Sequence, residues 1–143
     1  MQVQPYVFFD GKCDEAVEFY KKALGAQVKM LMRFKDGPPQ NPEQCPGGKP
    51  VPGDKVMHAE LAIGETTILV SDGQSTGNPK FDGFSLAIGC KTVDEVERLW
   101  KGLSDGGHPI MPLTQTFFSP KFGMIADKFG VTWMVMANPQ KPM

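Results

Sequence analysis

Histidine and cysteine are scarce, with two and three residues respectively, and that scarcity narrows the chemistry first. Cys13, Cys45 and Cys90 form an odd set without C-x-x-C spacing, so neither a disulfide framework nor a zinc knuckle is indicated and reduced thiols are expected. Neither sign of charge is in excess. With 15 basic and 16 acidic residues the formal net charge is -1, which offers no footprint for a phosphate backbone or an anionic membrane surface. No nucleic acid partner is expected. No segment approaches the roughly 20 uninterrupted apolar residues of a membrane span. Met1-Gln2-Val3-Gln4-Pro5 carries no positive region ahead of an apolar stretch. The expectation is a soluble, unprocessed, cytoplasmic protein with no membrane partner.

What the sequence does contain is enough apolar material for a core. At 143 residues and 41% hydrophobic, residues 1–143 are expected to form a single domain. A chain of this size buries roughly two-thirds of its unfolded surface. Residues 3–9, β-branched and aromatic, predict a strand, with Pro5 marking its edge or beginning. The period then changes: Ala16, Val17, Phe19, Tyr20, Ala23 and Leu24 fall on one helical stripe. Asp14 and Glu15 favour its N-terminus and Gly25 its C-terminal cap. A strand is predicted over 26–35, then a segment over 36–54 too rich in proline and glycine for any ladder. Val56 to Ile63 and Thr66 to Ser71 predict a hairpin turned at Gly64-Glu65.

The pattern then repeats. A strand at 84–88 precedes a helix announced by a Thr92/Glu95 capping box, with a stripe of Val93, Val96, Leu99, Trp100 and Leu103 and an end at Gly106-Gly107. Strands are predicted around 109–115, 122–127 and 131–137. A shift of 80 residues lays Asp14-Glu15 on Asp94-Glu95 and Phe19-Tyr20 on Leu99-Trp100. Met57-x-Ala59-Glu60 matches Met124-x-Ala126-Asp127, and Gly64-x-Thr66 matches Gly130-x-Thr132. Two copies of one βαβββ module, about 1–73 and 80–143, explain both matches in the same order.

These residues resemble the vicinal-oxygen-chelate superfamily of glyoxalase I, extradiol dioxygenases and bleomycin-resistance proteins. The details are similar to its PhnB-like branch: Pro5-Tyr6 before a Phe-rich strand, Glu15-Ala16 with Phe19-Tyr20 and Gly25, and Met57-His58-Ala59-Glu60. Further on stand Ser71-Asp72, Gly106-Gly107, Met111-Pro112-Leu113, Phe122-Gly123 and Asp127-x-Phe129-Gly130-Val131-x-Trp133. The resemblance covers nearly the whole chain. It implies an α+β fold, two βαβββ modules with curved mixed sheets forming a cup, and a homodimer. Members also carry a 3-demethylubiquinone methyltransferase-like label. That label implies a methyl donor, yet no Gly-rich strand-to-helix turn for one is present.

In the superfamily's metal-dependent enzymes, His and Glu from the first and last strands of each module hold a divalent ion. The corresponding positions here are Pro5, Ile68 or Leu69, Phe84 or Ser85, and Met134, none of them a His or a carboxylate. A thioether such as Met134 suits soft copper rather than a hard ion. Neither the usual metal nor any cofactor is expected. His108, after Gly106-Gly107, is read as a solvent-facing loop residue.

His58 differs, because it lies in an alternating strand. Met57, Ala59, Leu61 and Ile63 make one face, and His58 and Glu60 the other. A carboxylate that near would raise the imidazole pKa. The pair suits a general base with its orienting partner, half of an irregular metal site, or a plain hydrogen-bonded pair. The candidate ligand-binding residues are His58, Glu60, Tyr6, Phe118 and Trp133, the aromatics serving equally as core. Cys13, ahead of a helix N-terminus, is read as a passive thiol rather than a reactive one. The four methionines Met111, Met124, Met134 and Met136 suit an adaptable apolar pocket or simple gap-filling. The segment 36–54 is a lid, a dimer arm or disorder.

Three readings follow. The first is a metal-independent binder of a small, partly apolar molecule in the cup. The second is an enzyme of lyase, isomerase or dioxygenase type with shifted ligands, drawing on His58, Glu60 and Asp127. The third is a non-catalytic dimeric interaction module. Whether a reaction is catalysed, and on what substrate, is not written in these residues.

Overall fold

Period-two alternation, one helical stripe and glycine punctuation recur twice, and the chain folds as those patterns require. The computed structural model describes residues 1–40 and 50–138. It contains two compact units, Met1–Pro79 and Lys80 onward, each with its own sheet and helix. The N-terminal unit comprises β1 (Tyr6–Phe8), α1 (Cys13–Leu24), β2 (Gln27–Arg33), a 3-10 turn (Phe34–Asp36), β3 (Val56–Ile63) and β4 (Thr66–Ser71). The C-terminal unit comprises β5 (Leu86–Cys90), α2 (Val93–Leu103), β6 (His108–Thr114), β7 (Phe122–Ala126) and β8 (Thr132–Ala137).

The sheets share one topology: the orders are β1-β4-β3-β2 and β5-β8-β7-β6. In each, the first strand runs parallel to the last and the other pairings are antiparallel, so both sheets are mixed and neither closes on itself. The predicted pair of βαβββ modules in an α+β fold is what is observed.

Each helix covers one side of its own sheet. In the N-terminal unit, α1 buries Ala16, Val17, Tyr20 and Leu24 over the side carrying Val7, Ala59, Leu61, Ile68 and Val70. A fully buried Leu, Ile or Val contributes roughly 2 kcal/mol. Gly25 ends α1 in the left-handed conformation at φ 68°, where a β-carbon would be strained. In the C-terminal unit, α2 buries Val96, Leu99 and Leu103 over Ile125, Trp133 and Val135. A β-carbon on Gly123 would fall 2.7 Å from Cζ3 of Trp100, so helix and strand approach only because that side chain is missing.

Several predicted boundaries shift. The strand expected over 3–9 is shorter, Tyr6–Phe8, although the Pro5 carbonyl still accepts the Leu69 N–H and the Phe9 N–H still donates to the Ser71 carbonyl; Pro5 itself has no N–H for the ladder. The strand expected at 84–88 lies at Leu86–Cys90, where β8 offers partners from Trp133 to Ala137. His108, expected in a turn, is the first residue of β6, although it is exposed as predicted. Thr92 accepts the Glu95 N–H at 3.1 Å, but the Glu95 carboxylate approaches the Cys90 thiol and Arg98 instead of completing a capping box. Cys45 and the centre of the 36–54 segment lie outside the described residues. At that segment's base, the Gln40 side-chain amide donates to the Val51 carbonyl and accepts its N–H, both at 2.7 Å.

Two carboxylates brace the N-terminal unit from its surface. Arg33, ending β2, grips Asp14 in the first turn of α1 with two 2.9 Å hydrogen bonds, which hold the Asp14 carboxyl below its ordinary pKa. Burial alone would raise Asp10. Hydrogen bonds from the Thr76 hydroxyl and from the amides of Thr76, Asn78 and Ser75 outweigh it, so its pKa is also lowered. A depressed folded-state pKa stabilises above the unfolded value and loses that contribution as pH falls. Urea midpoints are therefore expected to drop as pH falls below about 4, and Asp10→Asn and Asp14→Asn each to flatten that slope. Equal slopes in wild type and both variants would refute the assignment.

Candidate functional site

With α1 on one side of the N-terminal sheet, the alternate positions of β1, β3 and β4 face away from it. Register places Tyr6 beside Leu69, Leu69 beside Glu60 and Glu60 beside Met30, while Phe8 is opposite Ser71 and His58 opposite Met32. Tyr6 and Phe8 stack with ring centroids 4.8 Å apart, and Phe8 remains 55% exposed.

The polar centre of this face is a chain of three side chains. The Tyr6 hydroxyl lies 2.9 Å from His58 Nδ1, and His58 Nε2 lies 3.9 Å from Glu60 Oε2. The tautomer with the proton on Nε2 satisfies both neighbours: Tyr6 O–H donates to Nδ1, and Nε2–H faces the carboxylate. The imidazole is thereby oriented at both ends, the arrangement a general base or a hydrogen-bonding anchor needs. His58 and Glu60 are half-buried, within reach of solvent and of a ligand.

The structure thus brings together His58, Glu60 and Tyr6 and places the other two candidates in the C-terminal unit. Phe118, in the β6–β7 connection, is half-buried and makes edge contacts with Phe117 at 5.2 Å and Phe122 at 5.1 Å. Trp133 is only 2% exposed, lies on the helix-covered side of its sheet, and donates its indole N–H to Asp127 Oδ2 at 2.8 Å. Its place is in the core.

Asp127, considered above as a shifted metal ligand, is buried and also accepts the N–H groups of Phe129 at 2.9 Å and Val131 at 3.1 Å. Those contacts make it a structural acceptor. Cys13 is fully buried. Burial, with the charges of Asp72 and Asp14, drives its thiol far up, so the passive reading fits, while burial and Glu95 push Cys90 up to about 11.

Sequence reasoning gave Asp72 no role. Its carboxylate, completely buried, accepts the N–H of Cys13 at 2.8 Å and of Val56 at 2.6 Å. Lys12, at the N-cap of α1, makes no side-chain cap, so a residue from the end of β4 does that work. The signals were an acidic residue directly after an apolar strand and the Ser71-Asp72 pair of the family resemblance.

Among the described residues, no group of three or more His, Cys, Asp or Glu is disposed to hold a metal ion. A methyl donor fits no better: the links from β1 to α1 and from β5 to α2 contain only one glycine, Gly11. Among the described residues no helix is long and apolar enough to cross a membrane.

The sequence matches the family model described as 3-demethylubiquinone-9 3-methyltransferase over residues 1–136. It is 32% identical to the Escherichia coli protein YjdN, covering 99% of both chains. It is 34% identical to the crystal structure of PA1353 from Pseudomonas aeruginosa, with a TM-score of 0.80 over 96% of this chain and 98% of that one. It is 25% identical to the PhnB protein from Bacillus cereus, with a TM-score of 0.76 over 96% and 99% of the two chains. A glyoxylase/bleomycin resistance protein/dioxygenase domain from Frankia, 16% identical, shares the fold at a TM-score of 0.63 over 96% and 94%.

Proposed function

Because the chain belongs to the PhnB-like 3-demethylubiquinone-9 3-methyltransferase family, within the glyoxalase/bleomycin-resistance superfamily, we propose that it binds a small, partly apolar molecule without the superfamily's usual divalent metal. The carrying observation is the Tyr6–His58–Glu60 chain, exposed beside the Tyr6–Phe8 stack on the sheet face turned away from α1. The aromatic pair and Leu69 supply apolar contact. His58 and Glu60 recognise a polar edge of the ligand, with the Tyr6 hydroxyl fixing the imidazole.

A melting screen against small aromatic and polar-headed compounds tests this. A ligand at a hundred times its Kd stabilises by about 2.7 kcal/mol. His58→Ala is expected to weaken a hit about tenfold, the worth of one good hydrogen bond, while unliganded melting shifts little because the site is on the surface. Metal analysis of protein purified without chelator supplies the opposing outcome. A stoichiometric divalent ion that disappears in His58→Ala would overturn this proposal in favour of an enzyme with shifted ligands.

A further inference from the structure

The uncovered side of the C-terminal sheet has a different chemistry. Met111 is opposite Met124 and Met124 is opposite Met134, so three methionines form one row across β6, β7 and β8. Directly opposed residues keep their β-carbons about 5 Å apart and project to the same side; Met111 comes opposite Met124 through a register shift in β6 after Pro109, which faces Ile125 on the other side. That side is the open one, because α2 packs against the alternate positions, where Gly123 lies under Trp100 and Trp133 is buried. Met111 is 44% exposed, Met124 and Met134 are half-buried, and Met136, two residues along β8, offers a fourth thioether beside Phe122. Four of the nine methionines therefore share one small patch.

From this row we infer a binding site for a soft monovalent cation, Cu(I) or its redox-inert counterpart Ag(I), held by the thioethers of Met111, Met124 and Met134. Thioether sulfur is a soft, neutral donor that selects such ions over the hard cations calcium and magnesium. Methionine's three rotatable bonds let sulfurs from adjacent strands converge on one ion without moving the backbone. A thioether carries no proton to displace, so binding is independent of pH between about pH 5 and pH 8, unlike capture by imidazole or thiolate. No residue of the Tyr6–His58–Glu60 chain takes part, so this inference stands apart from the one above.

The test uses the full chain with methionine methyls labelled with carbon-13 and Cys45→Ser, titrated with silver nitrate. The methyl signals of Met111, Met124 and Met134 are expected to shift together and saturate with a single ion, while those of Met30, Met32 and Met57 stay in place. Met134→Leu conserves volume and should leave the fold intact. It is expected to weaken binding by more than about tenfold, the lower end of what losing even an orienting partner of a ligand costs. Competition with a Cu(I) chelator should give the same ranking. Silver taken up without these shifts, shifts spread evenly over all methionines, or undiminished binding in Met134→Leu would overturn the site.

Discussion

Replacing Asp127 with alanine is expected to lower the stability of the C-terminal unit by about 4 kcal/mol, because each buried donor left without an acceptor costs roughly 1–3 kcal/mol. Three donors are involved: the amides of Phe129 and Val131 and the indole of Trp133, all buried. The carboxylate holds the β7–β8 turn in shape and fixes the ring that fills the space under α2, so turn and core fail together. Both tryptophans, Trp100 and Trp133, lie in this unit, so their fluorescence reports on it selectively. With an ordinary urea dependence of about 2 kcal/mol per molar, the fluorescence midpoint should fall by roughly 2 M. Asp127→Asn keeps one oxygen but turns an NH2 group on the remaining donors, and should fall between. An unmoved tryptophan transition in the alanine variant would show that the three hydrogen bonds contribute nothing net.

The second large effect belongs to Asp72. Asp72→Ala strips the acceptor from the first amide of α1 and from Val56 at the start of β3, at an expected cost of about 3 kcal/mol. The damage has an address. Cys13 sits where the helix would fray, its thiol inert through burial and through the Asp72 charge. Removing that carboxylate takes away one cause of the raised pKa and loosens the turn that causes the other. Alkylation of Cys13, followed by peptide mass analysis, should therefore accelerate well beyond wild type. Unchanged melting with an unreactive Cys13 would mean that water replaces the carboxylate at no cost.

Periodic features of the sequence carried most of the architecture. The β3–β4 hairpin has the predicted bounds because alternation and Gly64-Glu65 are local signals, and α1 follows from its stripe and Gly25. The two modules were visible because a duplicated unit repeats its spacing. Ladder lengths were not, since they depend on where partners lie: β1 is paired where β4 meets it, from Tyr6 to Phe8, and β5 begins at Leu86 because β8 meets it there. The placement of His58 and Glu60 on one side came from the two-residue period. Their link to Tyr6 did not, because it needs two strand registers and spans 52 residues. Asp72 and Asp127 escaped for a related reason: an acidic residue near a strand end has no assignable partner until the amides around it are placed. Trp133 stayed open between a ligand-lining and a core role because an aromatic in a strand gives no sign of which side it faces.

The parallel pairing of first strand with last governs the order in which each unit is completed during synthesis. Tyr6 has its partner at Leu69 and Leu86 has its partner at Trp133, so β1 and β5 wait unpaired while everything between them is made. Bringing such distant segments together costs chain entropy before any contact rewards it, which places strand closure late in folding. For the N-terminal unit that moment arrives once Ser71 has emerged from the ribosome, with the second module still incomplete.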